Sequence, residues 1–203
     1  MLIEQVPVLY RLFFPSDVKW RIDGSEKCVY LTFDDGPVPE ITLWVLDLLD
    51  KYNIKATFFC VGDNVRKYPD VYQEILDRGH HVGNHTFHHK RGLSCRTKNY
   101  LLNIELAACF IDSKLFRPPH GHMRLGQILK LRKEYQIIMW DLVTRDYSKR
   151  LNAKQVFEIV KKYVRNGSII VFHDSMKAEP RIKEALPQSI EWLLEQGYAF
   201  KLI

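Results

Sequence analysis

The feature that most constrains this chain is a regular alternation of two patterns. Short β-rich runs, CVYLTF (28–33), ATFFCV (56–61), HHVGN (80–84), KLF (114–116), QIIMW (136–140), SIIVF (168–172) and YAFKLI (198–203), are separated by longer segments in which apolar residues recur at helical spacing. Ile41, Val45, Leu48, Leu49 and Tyr52 form one such stripe and Tyr100, Ile104, Ala108 and Ile111 a second. Val156, Val160 and Val164 form a third, and Ile182, Leu186, Ile190 and Leu193 a fourth. Gly79, Gly167 and Gly197 each stand between a helical segment and the next strand, where a left-handed C-cap is expected. About seven strands with interleaved helices predict an α/β chain of right-handed βαβ units. Such units close as a doubly wound sheet or as a barrel, and strand count does not separate the two.

The 203 residues, 46% hydrophobic and 27% charged, suit one large domain with a sizeable core and exclude a disordered, collagenous or disulfide-built chain. Residues 1–27 lack a clear period and are expected to form a lead-in or cap to a domain spanning 28–203. The net charge of +6 is spread over scattered residues such as Lys161, Lys162, Arg165 and Lys183, without an RNP-type motif or zinc-finger spacing, so no nucleic-acid partner is expected. Cys28, Cys60, Cys95 and Cys109 lie far apart and read as free, buried thiols. No run reaches the ~18 apolar residues of a membrane-spanning helix. The first twenty residues carry Glu4 early and have neither a basic n-region nor a small-residue cleavage site, which predicts a cytoplasmic protein. An extracytoplasmic location stays open if a leader was removed or export is unrecognised.

Chemistry-bearing residues gather where strands end: Asp34-Asp35-Gly36-Pro37, then His85 and His89, then Arg117-Pro118-Pro119-His120-Gly121, then Asp141 and Asp146, and finally His173-Asp174. In parallel α/β folds these ends face one shared site. Adjacent carboxylates repel unless a cation relieves them, so one of Asp34 and Asp35 can ligate a metal while its neighbour stays free as a base; a solvated turn or N-cap is the alternative. His85 and His89, four apart, fall on one face of a helical turn, and with one aspartate they make the three-ligand plan of an open catalytic zinc site. His80, His81 and His88 read as packing or surface residues. Arg117, held extended by the prolines after it, suits an ion pair with a free carboxylate, or an ordinary surface salt bridge. Gly121 admits a close approach, and a backbone N–H near His120 suits an oxyanion. His173 emerges at a strand mouth with a pKa suited to donating a proton, unless it is a core histidine. Trp140, Tyr147 and Phe172 suit an apolar wall for a sugar ring, or plain core.

Taken in order and spacing, TFDDGP (32–37), HTFHH (85–89), RPPHG (117–121), WDLVTRDY (140–147) and IIVFHD (169–174) resemble the five motifs of the polysaccharide deacetylases with a NodB homology domain, carbohydrate esterase family 4. The resemblance spans about residues 28–200 and implies a distorted (β/α) barrel of seven or eight strands. It implies Asp34 as general base, Asp35, His85 and His89 as metal ligands, His173 as general acid, Arg117 as the partner of the base and Asp146 as support for the acid. Pro119, His120, Gly121, Trp140 and Tyr147 are the substrate contacts it implies. The cofactor is one divalent ion, Zn above all with Co or Ni accepted, and the substrate an N-acetylated glycan that loses acetate. Four positions depart from the family pattern: His120 replaces a tyrosine, Tyr147 a tryptophan and Val143 a frequent aspartate, and Lys90 stands where proline often follows the second histidine. A related amidase for a small non-sugar amide and a catalytically silent glycan-binding protein are the rival readings.

Overall fold

The computed structural model describes residues 4–203. Eight strands make one parallel sheet: β1 (Cys28–Asp34), β2 (Thr57–Cys60), β3 (His81–Asn84), β4 (Leu115–Phe116), β5 (Gln136–Ile137), β6 (Leu142–Val143), β7 (Ser168–His173) and β8 (Ala199–Phe200). Their order is β5-β4-β3-β2-β1-β7-β6, a curled sheet open between β5 and β6. β2 pairs with the C-terminal half of β1 and β8 with its N-terminal end. Helices run between the strands: α1 (Val8–Arg11), α2 (Pro39–Lys51), α3 (Gly62–Lys67), α4 (Pro69–Asp77), α5 (Thr97–Ala108), α6 (Leu125–Leu131), α7 (Ala153–Tyr163) and α8 (Glu179–Glu195). The fold is the distorted barrel expected, with Leu142–Val143 an extra short strand and most end runs shorter than their apolar stretches.

Strand periodicity decides what faces the site. Val29, Leu31 and Phe33 of β1 point outward into the main core with Ile170 and Phe172 of β7 and the buried faces of α2, α7 and α8. Cys28 and Tyr30 therefore point inward, where they meet Phe59, Ile138 and Ile169. Continuing each inward row by steps of two reaches Thr32 and Asp34 on β1, His173 on β7, His85 beyond β3, Arg117 beyond β4 and Trp140 beyond β5. Register adds the rest: Asp34 sits directly beside His173.

The lead-in braces the open seam. Lys19 bridges to Ile138 on the β5 side, Arg21 pairs antiparallel with Ser168, and Gln5 with Leu142. Arg11 donates to the buried Asp141 at 2.7 Å, and Asp141 also accepts from Arg165 and Ser168, so this aspartate ties segments together and does not face the cleft.

Four expectations change. Ala107, not Ala108, faces the core from α5, because the helix begins at Thr97 and sets the phase of its buried stripe. Phe172 is core, packed beside Phe33, since outward positions of β7 lie under the helices. Of the four thiols, Cys28 and Cys60 are buried, whereas Cys95 is half-buried and Cys109 is exposed at the end of α5. Gly79 and Gly197, with Asn53, follow α4, α8 and α2 in the paired backbone bonds of Schellman motifs. Gly167, at φ 75°, stands beyond the extended Val164 that ends α7 and gives its N–H to the Cys28 carbonyl instead of capping the helix. Among the described residues no helix is long and apolar enough to cross a membrane.

Candidate active site

Six strand ends, those of β1 and of β3 to β7, meet around a cleft of about 400 Å³. At its floor lies Arg117, fully buried and held by four of its five N–H donors. It gives Nη1 to Asp34 Oδ1 at 2.7 Å and to Thr32 at 2.8 Å, Nη2 to the Met139 carbonyl and Nε to the Ile138 carbonyl, while its guanidinium lies 3.9 Å above the Phe59 ring. The surface salt bridge is excluded, since the residue has no exposure at all. The buried guanidinium, bonded through one Nη1 to both Asp34 and Thr32, fixes the Asp34 side chain in one orientation.

Asp35, His85 and His89 each present a ligand atom, all within 4.8 Å of one another. Asp35 Oδ1 lies 3.1 Å from His89 Nε2 and 3.8 Å from His85 Nε2, and Asp34 Oδ2 lies 4.0 Å from the same His85 nitrogen. The adjacent carboxylates thus converge on His85 and do not diverge, because Asp35 has φ 85° and turns its side chain back over the strand end. The two histidines are not on a helical turn. They flank a loop with Thr86 and His89 both at positive φ, pinned by Asn103 Oδ1, which accepts from the N–H groups of Phe87 and His88, and by Asn84, which accepts from Thr86. The spacing is right although the conformation is not helical.

The donor set fits a divalent cation. His85 Nδ1 is engaged with the Arg117 carbonyl oxygen at 2.8 Å, which fixes the tautomer with Nδ1–H donating and leaves the Nε2 lone pair aimed at Asp35. Burial pushes His85 down to about 4 against the pull of Asp34, so the ring is neutral. Burial alone would raise the Asp35 carboxyl, but the hydrogen bond from His89 and the charge of His173 hold it well below the ordinary carboxylate range. A divalent cation would take the place of the His89 proton, and the two imidazole lone pairs and the carboxylate then face one point as its donors.

On the opposite wall His173 is clamped by Asp146, whose Oδ1 meets Nδ1 at 2.7 Å and whose Oδ2 accepts from the His173 backbone N–H at 2.8 Å. Asp146 is fully buried, and Val143 leaves no competing carboxylate there. Burial would lower the imidazolium, but the charge and hydrogen bond of Asp146, reinforced by Asp35 and Asp34, push His173 up to about 9. Its Nε2 remains free for the cleft. Asp174, by contrast, turns away. It accepts from the Gly36 N–H at 3.0 Å and from Thr42 at 2.6 Å, and a side chain on Gly36 would collide with it, so its role is to set the loop that carries Asp35.

Between these walls the 117–121 segment makes a tight turn with His120 at φ 60° and Gly121 at φ 69°. Gly121 and His122 donate to the carbonyls of Pro118 and Pro119, so the His120 N–H is left over for a ligand. A Cβ on Gly121 would lie 2.6 Å from Trp140, so only glycine lets the turn rest on the indole. His120 is itself exposed, with its ring centroid 4.9 Å from that of His89. Trp140 and Tyr147 line the cleft, Tyr147 edge-on to His173 at 4.8 Å, whereas Pro119 is buried in the turn and does not. His80 is buried with Nδ1 accepting from the Ala56 N–H, and His81 is exposed. Sequence reasoning did not single out His122, Arg145 or Lys177, which also line the cleft; only the loops' placement brings them there.

The family model for polysaccharide deacetylase matches residues 21–140, more than half of the chain. This chain belongs to the polysaccharide deacetylase family. It is 32% identical over 192 residues to a peptidoglycan-N-acetylglucosamine deacetylase of Bacillus cereus, with 90% of this chain and 89% of the relative aligned. It is also 32% identical over 201 residues to the peptidoglycan-N-acetylmuramic acid deacetylase PdaC of Bacillus subtilis, covering 96% of this chain but 41% of that longer protein. Among solved structures, the Bc1960 peptidoglycan N-acetylglucosamine deacetylase in complex with 4-naphthalen-1-yl-N-oxidanyl-benzamide superposes with a TM-score of 0.85 at 27% identity, over 98% of this chain and 95% of that one. Membership of the family implies a divalent metal, in keeping with the Asp35, His85 and His89 donors.

Proposed function

We infer that this protein is a metal-dependent N-deacetylase of peptidoglycan-type glycans, releasing acetate from N-acetylated hexosamines. The observation that carries the reading is the pairing across one cleft of a carboxylate ion-paired with a buried arginine, Asp34 with Arg117, and a histidine held protonated by a buried aspartate, His173 with Asp146. A carboxylate base and a protonated histidine facing one cleft are what amide hydrolysis needs. A glycan-binding role needs neither, which weighs against the silent alternative, and the aromatic wall of Trp140 and Tyr147 favours a sugar over a small non-sugar amide.

Asp35, His85 and His89 would hold the ion, zinc being the best match to a carboxylate and two imidazoles. When bound there, a divalent ion lowers the pKa of a water molecule and polarises the acetamide carbonyl. Asp34, oriented by Arg117, takes the proton as water attacks the carbonyl carbon. The His120 N–H, unspent in its turn, faces the oxygen that gains negative charge. His173 gives its Nε2 proton to the departing sugar nitrogen while Asp146 keeps the ring in place through Nδ1. The substitution of His120 for tyrosine leaves this backbone donor intact. Residues 28–203 carry these groups, and the lead-in serves as their brace. With peptidoglycan as substrate the enzyme works outside the cytoplasm, contrary to the cytoplasmic location its first twenty residues predict.

Acetate release by the zinc-loaded protein from N-acetylglucosamine oligomers and peptidoglycan fragments tests the reading. Asp34→Asn is expected to lose a factor of about a hundred or more in kcat while binding zinc at the wild-type stoichiometry. Zinc bound with no acetate from any acetylated glycan would sink the proposal.

A further inference from the structure

The lead-in that braces the seam is apolar on both of its sides. One stripe, Val6, Tyr10 and Phe14, spaced by four, turns inward on the cluster around Trp20, with the Phe14 ring 5.1 Å and the Tyr10 ring 6.2 Å from the indole. The Arg11 side chain crosses the same indole at 5.5 Å on its way to Asp141. The other stripe turns out: Val8 is 64% exposed, Leu9 75%, Leu12 74% and Phe13 79%. Phe13 and Phe14 donate their N–H groups to the carbonyls of Tyr10 and Arg11, so the turns of α1 continue past its end and bring Val8 and Leu12, and Leu9 and Phe13, onto one face. A helical segment that is apolar all round is ordinarily covered on every side, and here one side is bare.

Size and charge decide what covers it. Four side chains fall far short of the ~20–30 residues a side of a stable protein interface, which makes a second copy of the chain a poor match. Cations stand beside the stripe. Arg11 and Arg165 donate to the same oxygen of Asp141, at 2.7 and 2.6 Å, which sets Arg165 next to α1. Gln5, just ahead of the stripe, donates to the Tyr163 carbonyl, and the Lys162 ammonium lies 5.1 Å from the Tyr163 ring. Lys162 and Arg165 are both exposed. The acids of this flank are already engaged: Asp141 is buried, Glu158 pairs with Lys161 and Asp23 with Arg21. An apolar stripe beside an excess of positive charge is complementary to a bilayer with anionic headgroups, where apolar side chains enter the acyl boundary and cations stay at the phosphates.

We propose that Val8, Leu9, Leu12 and Phe13 seat in the surface of an anionic lipid bilayer, with Lys162 and Arg165 against its headgroups. The chain then lies on the membrane without spanning it. Glu4 is held to the cleft wall by its carbonyl, which accepts from the Val143 N–H, and by its ion pair with Arg145, so the cleft is carried close to the lipid. This seat is independent of the chemistry in the cleft.

Sedimentation of the full chain with unilamellar vesicles tests it. Binding to vesicles of phosphatidylglycerol mixed equally with phosphatidylcholine is expected to exceed binding to pure phosphatidylcholine by about tenfold at low salt, and the excess should shrink in high salt. Leu9→Ser combined with Phe13→Ser should weaken the partition by about tenfold or more, and Lys162→Glu by about tenfold. Both variants should keep the wild-type urea midpoint, which separates a lost seat from a lost fold. In Phe13→Trp the added indole emission should shift to the blue with the anionic vesicles. Equal binding to the two kinds of vesicle, no binding to either, or binding untouched by the paired serine substitutions would overturn the proposal. A lipid-free dimer in sedimentation velocity, dissociated by those same substitutions and unaccompanied by vesicle binding, would overturn it too and assign the stripe to a second copy.

Discussion

His173 shows how one neighbour sets the working pH of a catalytic group. Because Asp146 raises it to about 9, the ring is protonated through neutrality and loses its proton as pH climbs past that value. kcat/KM on a neutral oligomer is expected to fall on the alkaline side around pH 9. In Asp146→Asn the burial that lowers the imidazolium is opposed only by the charges of Asp35 and Asp34, so this limb should move to lower pH; a kcat/KM–pH profile checks it. The same coupling works on stability. The folded pKa lies above the unfolded value of about 6.5, so the contribution is complete below that value and is lost as pH rises through about 9. Asp174, one residue further on and more deeply buried, has no such part. Burial raises it to about 8, and it spends its oxygens on Gly36 and Thr42. Two adjacent residues of one motif thus serve the chemistry and the scaffold separately.

At the scale of elements, the brace across the open seam depends on Asp141. It is fully buried and accepts from Arg11, Arg165 and Ser168, joining the segment behind α1 to the approach to β7. Asp141→Ala leaves Arg11, itself mostly buried, without its partner, and should cost about 2–4 kcal/mol; Arg165 is better exposed and re-solvates. A lower urea midpoint at unchanged m-value, with zinc stoichiometry retained, is the expected result. The elements also explain which sequence signals survived. Strand rows alternate strictly, so Asp34, His85, Arg117, Trp140 and His173 share a rim because each lies an even number of residues beyond an inward-facing side chain. The His85–His89 spacing was legible but its conformation was not, because the loop is fixed by Asn84 and Asn103, of which Asn103 is remote in sequence.

For the whole molecule, the three proposed ligands come from two separate segments, so an ion bound there holds the ends of β1 and β3 together. Binding to the folded state alone stabilises by about 4 kcal/mol at a thousand times Kd, which for a domain of this size raises Tm on the order of 10 °C. Calorimetry with zinc and with EDTA should show this difference in wild type and lose it in His89→Ala. A Tm indifferent to zinc would argue that the triad holds no ion.

The sequence alone determined the alternation of strand and helix and placed five reactive clusters at the strand ends, because both follow from local periodicity and chain order. The choice of a barrel over a doubly wound sheet came from the resemblance of its motifs and not from the alternation. The sequence left open which aspartate backs His173, whether Arg117 is a surface or a buried ion pair, and whether Asp141, Phe172 and Asp174 face the cleft. It was silent on Arg145 and Lys177. Those matters were decided only by the tertiary structure, because burial, the partner across the sheet and the direction of a loop at positive φ depend on residues tens of positions away or more. Asp34 meets Arg117 across 83 residues and Arg11 meets Asp141 across 130, and no local pattern encodes either contact.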